Sequence, residues 1–278
     1  MRIDAHQHFW HYSTDEYGWI GDAMLVIRRD FLPGDLAPLL AVARIDGTVA
    51  VQARQTLAET DWLLDLAESS PLIKGVVGWV PLAQEGAAVG GLLERYLERS
   101  RFKGVRHVLQ AEADAYFSDV RFNAALDEVA RRGLVYDLLI FSRQLSAALA
   151  LVQRHPSLRF VLDHIAKPIA QGPPPAEWRR QIRELARHPN VACKFSGVVT
   201  EVPGWQWTPQ LLRPYFEVVL EAFGPHRLMF GSDWPVCLVA TDYARWAALV
   251  EEFTAALAEG ERAAILGGTA TSVYRLSS

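Results

Sequence analysis

The stretch that decides the fold is "MRIDAHQHFW", residues 1–10. We interpret its first six residues as a β-strand, at the end of which lie His6 and His8. A doubly wound open sheet, the main alternative, would usually carry a glycine-rich phosphate-binding turn directly after its first strand. This stretch contains no glycine, which favours a closed barrel.

Seven further candidate strands follow along the chain, separated by stretches that predict amphipathic helices. The eight candidates are residues 1–6, 47–53, 73–80, 102–109, 134–140, 159–165, 191–197 and 227–233. After the first, they recur roughly every 25–36 residues, the spacing of a βα unit. Eight such units in 278 residues predict an α/β protein with the (β/α)8 TIM-barrel fold. We expect a single domain over residues 1–278.

The segments between the strands support this architecture. Residues 59–70, 119–133 and 175–189 predict helices, with Asp119 as the N-cap of the second. The longest irregular stretches, 9–35 and 199–213, follow strands one and seven. In a barrel such loops lie at the C-terminal mouth, where active sites are found.

Composition excludes several functional classes. Half of the residues are hydrophobic, and the net charge is −4, which gives no electrostatic basis for binding nucleic acid or an anionic membrane. There is no apolar run of about 18 residues, as a membrane span would need. The chain begins as a strand rather than a signal peptide, so we expect a cytoplasmic protein. The two cysteines match no zinc or redox motif.

The histidine pair at the end of strand one is a candidate metal site. Side chains alternate along a strand, so we expect Asp4, His6 and His8 to share one face. Two imidazoles about 7 Å apart can converge on one cation. Asp233 ends strand eight, which is the neighbour of strand one in a closed barrel. Asp233 should therefore lie beside the histidine pair.

Polar residues near the ends of the other strands predict one polar pocket, because a buried charge is costly unless it is paired. They are Gln52 and Arg54 on strand two, Arg106 and His107 on strand four, Tyr136 and Asp137 on strand five, His164 on strand six, and Lys194 with Glu201 beyond it on strand seven. Which of the two strand-five residues faces inward stays open. Several tryptophans suit an aromatic-lined pocket: Trp10, Trp79, Trp205, Trp207 and Trp234.

Three motifs carry a family resemblance: "DAHQHFW" (4–10), "VLDHIAKP" (161–168) and "MFGSDWP" (229–235). They resemble those of the amidohydrolase superfamily, barrels of the metal-dependent-hydrolase type. Within it the chain is most similar to the sugar-lactonase branch, and to L-fuconolactonase-like proteins through local matches such as "GVRHVLQ" (104–110). The resemblance runs from residue 2 to about residue 275. It implies a hydrolase that opens a sugar-acid lactone to the free acid.

The resemblance also implies roles for individual residues. The metal and catalytic positions are His6, His8, His164 and Asp233, and Glu201 is similar to an active-site carboxylate of the family. The substrate pocket would hold Arg106, His107, Tyr136 and Lys194. We expect Asp233 to take a proton from water and later return it. His164 and Arg106, or one divalent metal, polarise the carbonyl. Gln52, Trp79 and Trp234 complete the residues expected to orient the substrate.

The metal content and the partners follow from the same residues. Strand four lacks the bridging lysine or glutamate of members with two metals, and strand five lacks a histidine, so we expect one divalent ion. Imidazole and carboxylate ligands favour zinc. Lactonases of this branch can act without a required metal, so its necessity stays open. The expected partner is a small sugar lactone, with no nucleic acid and no membrane, and the oligomeric state, including a homo-oligomer, is left open.

Two other functional classes remain as alternatives. A metal-dependent amidohydrolase or decarboxylase on the same barrel would require its metal and show no preference for lactones. A non-catalytic barrel that binds sugar acids would show no turnover, and the fold alone does not separate these options.

Overall fold

Eight parallel β-strands form one sheet, in which each strand lies beside the next in sequence order. The computed structural model describes residues 1–83 and 86–277. The strands are β1 (Ile3–Gln7), β2 (Gly47–Val51), β3 (Ile73–Gly78), β4 (Phe102–His107), β5 (Val135–Leu138), β6 (Arg159–Leu162), β7 (Val191–Phe195) and β8 (Leu228–Phe230). Each lies within a predicted strand or extends it by one residue at most.

The sheet closes on itself between β8 and β1. The backbone N–H of Asp233 donates to the His6 carbonyl at 2.8 Å, and the N–H of His8 donates to the Trp234 carbonyl at 2.7 Å. These bonds continue the pairing beyond the end of β8 and produce a nearly closed barrel. The (β/α)8 prediction is therefore confirmed, and the open-sheet alternative is wrong.

Helices connect successive strands and form the outer layer. They are α1 (Pro33–Ala43), α2 (Leu57–Ser69), α3 (Gly86–Leu97), α4 (Val120–Arg131), α5 (Leu145–Arg154), α6 (Ala176–Ala186), α7 (Pro209–Phe223), α8 (Tyr243–Thr254), α9 (Glu259–Ala263) and α10 (Thr269–Val273). Asp119 caps α4 as predicted, because its carboxylate accepts the N–H groups of Arg121 and Phe122. Among the described residues, no helix is both long and apolar enough to cross a bilayer.

The apolar core has two parts. The larger part lies between the sheet and the helices, where strand residues such as Val76 and Val105 pack towards residues such as Leu63 and Leu126. The smaller part fills the barrel interior at its N-terminal end. Tyr274 and its neighbours in the C-terminal segment belong to this second part. The barrel interior is therefore apolar at its N-terminal end, which leaves the C-terminal end for polar groups.

An irregularity in β1 changes which residues share a face. The pairing of β1 with β2 shifts register between Asp4 and Gln7. The Asp4 carboxylate turns towards the helical layer, where it accepts a hydrogen bond from the Tyr243 hydroxyl at 3.0 Å. His6 and His8 point into the barrel instead. The expectation that Asp4 shares their face is wrong, because such an irregularity breaks the strict alternation of side chains.

Candidate functional site

A cavity of about 580 Å³ opens at the C-terminal end of the barrel. Its lining includes four residues that the sequence singled out as catalytic or metal-binding: His8, Arg106, His164 and Asp233. We call these four, together with His6 just below them, the floor cluster. The cavity walls come from loops after the strands, and we call five of their polar and aromatic residues, Glu16, Trp19, Arg54, Gln55 and Lys167, the rim.

Three imidazoles surround one carboxylate oxygen in the floor cluster. Asp233 Oδ1 lies 3.4 Å from His8 Nε2, 3.8 Å from His6 Nε2 and 3.9 Å from His164 Nε2. The Nε2 atoms of His6 and His8 are 3.2 Å apart. The side chains from β1, β8 and the loop after β6 thus converge, as the order of strands in a closed barrel requires.

Second hydrogen bonds orient the histidine rings. His8 Nδ1 lies 2.7 Å from the Val51 carbonyl oxygen. A carbonyl only accepts, so this nitrogen carries the proton and His8 Nε2 presents a lone pair to the cavity. His164 Nδ1 contacts the Ser196 hydroxyl at 2.9 Å. Both rings are therefore held by groups outside the cavity.

A left-handed turn presents His164 and Lys167 to the cavity. All four residues 164–167 have positive φ, between 48° and 63°. None is glycine, so each costs about 1–2 kcal/mol relative to the right-handed region. The Trp178 indole N–H holds the turn by donating to the Ile165 carbonyl at 3.0 Å. Strain of this kind concentrates at functional sites.

Gly197 makes room for the same turn. Its φ is +64°, and a Cβ placed there would lie 2.5 Å from His164 Nδ1 and 3.0 Å from Asp233 Oδ2. Any other residue would push His164 and Asp233 out of position.

Arg106 is fixed by groups on three sides. Its guanidinium donates to Asp163 Oδ2 at 3.1 Å and to Gln52 Oε1 at 2.9 Å. One of its nitrogens also lies 3.3 Å from His6 Nε2. Arg106 and Asp233 both line the cavity, and they lie at the ends of β4 and β8, which are opposite strands in a ring of eight. A positive and a negative group therefore flank the space where a substrate carbonyl would fit.

Lys194 lies beneath the floor cluster rather than in the cavity. It is fully buried, donates to Asp137, and its Nζ lies 3.0 Å from Asp163 Oδ1 and 3.1 Å from His6 Nδ1. The Tyr274 hydroxyl donates to Asp137 at 2.7 Å. This network settles the open question on β5: Asp137 faces the barrel interior.

None of the residues predicted only for substrate binding lines the cavity. They are Gln52, Trp79, His107, Tyr136, Lys194 and Trp234. Tyr136 faces the helices, with its ring 6.0 Å from that of Phe122. Trp234 is buried beside Phe31. These placements correct the expectation, because an odd or even position along a strand decides which face a side chain takes. The two inward residues are Gln52, which supports the floor cluster from the side, and Lys194, which supports it from below.

The remaining members of this set are held by neighbours. The Trp79 indole donates to His107 Nδ1 at 3.3 Å, and His107 Nε2 lies 2.9 Å from Glu112. Of the other tryptophans considered, Trp10, Trp205 and Trp207, none is among the lining residues. The aromatic residue that does line the cavity is Trp19, in the loop after β1.

Apart from Arg54, which the sequence placed at the predicted polar pocket, the rim contains residues that sequence reasoning missed. Arg54 forms an ion pair with Glu16. Lys167 Nζ lies 3.7 Å from Glu201 Oε1. Glu201 is therefore next to the cavity, beside a residue that lines it. Two signals pointed to these residues: Lys167 belongs to "VLDHIAKP", and Trp19 lies in the long loop 9–35 assigned to the barrel mouth.

Burial sets the charge state of the floor cluster. It lowers the pKa of His164 to about 4 and lowers the pKa values of His6 and His8 as well. Burial would raise the pKa of Asp233, but the neighbouring imidazoles of His164 and His8 outweigh it, and the net pKa lies below the ordinary value. At neutral pH the cluster therefore holds neutral imidazoles around an ionised carboxylate, the form in which these groups bind metals.

The geometry of His6, His8 and Asp233 fits a single metal ion. Their donor atoms lie within 4.8 Å of one another, at separations of 3.2, 3.4 and 3.8 Å. Ligands placed tetrahedrally around zinc would be about 3.4 Å apart. A second group, His6, Asp163 and His164, suits an ion less well because Asp163 already pairs with two cations.

Comparisons with known proteins agree with this geometry. The sequence profile of the Amidohydrolase family matches residues 3–276. An L-fucono-1,5-lactonase of Burkholderia multivorans is 42% identical, over 99% of this chain and 96% of its own. An L-fucono-1,5-lactonase of Burkholderia ambifaria is 41% identical, with the same coverage.

A solved structure is similar over the whole fold. It is a crystal structure of an amidohydrolase from Burkholderia multivorans with bound zinc, which shares 42% sequence identity with this chain. The TM-score is 0.94, and the alignment covers 100% of both chains.

Proposed function

The chain belongs to the amidohydrolase family, and from this premise we propose that it hydrolyses a sugar lactone of the L-fucono-1,5-lactone type to the free acid. The observation that carries the proposal is the ionised Asp233, which faces three imidazoles and stands across the floor cluster from Arg106. Ester hydrolysis needs a proton acceptor for water and a positive group for the carbonyl oxygen, and this arrangement supplies both.

The first step adds water to the lactone carbonyl. Asp233 takes one proton from the water as its oxygen bonds to the carbonyl carbon. The carbonyl oxygen becomes negative, and Arg106 and His164 stabilise that charge. Their support is effective because the groups are held in place before the reaction and need not reorganise.

The second step opens the ring. The bond between the carbonyl carbon and the ring oxygen breaks, and the ring oxygen leaves as an alkoxide. Asp233 returns its proton to that oxygen, so that one lactone and one water become one hydroxy acid. The product carboxyl group then ionises beside the negative Asp233, and the resulting repulsion favours its release.

We propose that His6, His8 and Asp233 can hold one divalent ion, with zinc as the best match. When bound, such an ion supplies Lewis-acid polarisation of the carbonyl. The zinc in the Burkholderia multivorans amidohydrolase supports this assignment. Arg106 offers a second source of positive charge at the same place, so turnover without metal is compatible with these residues.

The setting of the protein is part of the proposal. We propose a single barrel domain over residues 1–278, in the cytoplasm, with a small sugar lactone of carbohydrate metabolism as its partner and no nucleic acid or membrane. The net charge of −4 and the two unpaired cysteines, Cys193 and Cys237, support this view.

The test of the reaction is hydrolysis of a panel of aldono-1,4- and 1,5-lactones, measured as the release of acid. We expect Asp233→Asn to lower kcat by about 100- to 10,000-fold, since the amide cannot accept the proton. Asp15→Asn, an exposed residue in the loop after β1, serves as the control. Wild-type turnover in Asp233→Asn would exclude the general base. Amide and carboxylate substrates in the same panel test the amidohydrolase and decarboxylase alternatives.

The metal assignment has its own readout. We expect zinc to bind the chelator-treated protein at a ratio near one, measured by calorimetry, and His8→Gln to abolish that binding. Unchanged zinc binding by the variant would contradict the assignment. Comparing turnover before and after chelation then shows how far the reaction depends on the ion.

A further inference from the structure

Two cations line the cavity on loops that follow opposite strands of the barrel. Arg54 follows β2 and Lys167 follows β6, and both line the cavity. In a ring of eight strands in sequence order, β2 and β6 are four places apart and therefore opposite. A substrate bound over the floor cluster would lie between these two side chains.

Each cation has a carboxylate partner. Arg54 is paired with Glu16, which also lines the cavity. Lys167 lies 3.7 Å from Glu201, a distance longer than a direct hydrogen bond, so the ammonium retains free donors. Each side of the mouth therefore combines hydrogen-bond donors with acceptors, and carboxylates offset the charge of both cations.

The fold holds both cations in place. Buried Glu59 accepts the backbone N–H groups of Ala53 at 3.1 Å and Arg54 at 2.8 Å, which fixes the loop after β2. The left-handed turn at residues 164–167 fixes Lys167. Their side chains are only 21% and 18% exposed, whereas freely solvated cations are far more so. These are built parts of the cavity rather than mobile surface charges.

We propose that the pairs Arg54–Glu16 and Lys167–Glu201 form two hydroxyl-binding subsites that select an uncharged, polyhydroxylated lactone. A hydroxyl group both donates and accepts, and an ion pair offers it an acceptor and a donor at once. A lactone that carries its own carboxylate gains less binding energy from these subsites, because Glu16 and Glu201 already neutralise the two cations. This inference rests on the proposed function and adds the residues that select its substrate.

The experiment compares two lactones that share a six-membered ring. One is L-fucono-1,5-lactone, and the other is δ-valerolactone, which lacks hydroxyl groups. The variants are Arg54→Met and Lys167→Met. The control is Arg143→Met, an exposed cation after β5 that does not line the cavity.

We expect each rim variant to lower kcat/KM for the hydroxylated lactone by about 10- to 100-fold, as the loss of hydrogen bonds to a charged group implies. The value for δ-valerolactone should change by less than about threefold, because that substrate makes no such bonds. Lys167→Arg, which keeps the charge and the donors, should recover most of the loss. Arg143→Met should leave both substrates unchanged.

The outcomes separate the two proposals. If wild-type protein opens neither lactone, the proposed function fails, and this inference fails with it. If wild-type protein opens both lactones but the rim variants lose equal activity on each, the hydroxyl-binding subsites are refuted and the lactonase proposal stands. Unchanged activity on both substrates in the rim variants also refutes the subsites. Thermal unfolding of each variant verifies that it is folded.

Discussion

At the floor of the cavity, His8, Arg106 and Asp233 lie on a strand or directly after one, so the barrel determines their neighbours, and each is held by a buried hydrogen bond. At the rim, Arg54 and Trp19 lie on loops, and Trp19 remains 48% exposed. The floor is therefore part of the folded core, whereas the rim lies on loops outside that core. Changes at the floor should affect chemistry and stability together, and changes at the rim should affect substrate selection alone.

The comparison also explains why positive charge occurs in both regions. Arg106 and Lys194 share one buried carboxylate partner, Asp163, so their charges are screened little by solvent. Arg54 and Lys167 lie closer to water, where each ion pair contributes less to folding. The same residue types thus stabilise the barrel in one place and are available to a ligand in the other.

The largest expected difference concerns stability. Lys194→Met leaves Asp137 and Asp163 without their shared buried cation, so we expect the free energy of unfolding to fall by about 3–5 kcal/mol. Arg54→Met should lower it by less than about 1 kcal/mol, because that ion pair is near the surface. Urea denaturation measures both. Equal losses in the two variants would contradict the distinction between the rim and the buried groups that support the floor cluster.

The next effect concerns the type of kinetic change. Arg106→Met should lower kcat by about 100- to 1,000-fold, since one oxyanion donor is removed, while KM changes little. A rim variant should instead act through substrate binding. Steady-state kinetics on one lactone separates the two parameters. If Arg106→Met raised KM and left kcat intact, Arg106 would belong with the rim.

A pH dependence connects the two regions through Glu59. Burial raises the pKa of Glu59 to about 7, above its value in the unfolded chain. The folded state therefore holds this proton more tightly, and the resulting stability is present below about pH 4.5 and lost as the pH rises through 7. We expect the wild type to lose roughly 3 kcal/mol more than Glu59→Gln between these limits. Parallel curves of unfolding free energy against pH would contradict this assignment.

The smallest expected effect is at Trp19. Trp19→Ala removes an aromatic surface from the rim, so we expect KM to rise about fivefold with kcat unchanged, corresponding to about 1 kcal/mol. Trp19→Phe should retain most of the affinity. A fall in kcat in the alanine variant would show that Trp19 also shapes the floor.

The sequence by itself determined the barrel and the identity of the floor cluster. Eight strand patterns with intervening helices imply closure, and closure makes Asp233 the neighbour of His6 and His8. The family resemblance is likewise confirmed by the profile match over residues 3–276. These inferences hold because strand order is topological and does not depend on the direction of any one side chain.

Side-chain direction was decided by the tertiary structure alone. The register shift in β1 turns Asp4 outwards, and Tyr136 and Asp137 are told apart only by what packs on each face of β5. Apart from Arg54, which lies near the end of a predicted strand, the rim was likewise out of reach, because loop residues have no periodic pattern that states which of them face a cavity. Arg54 and Lys167 line one cavity only because the closed barrel sets β2 opposite β6, a relation between parts of the chain more than 100 residues apart.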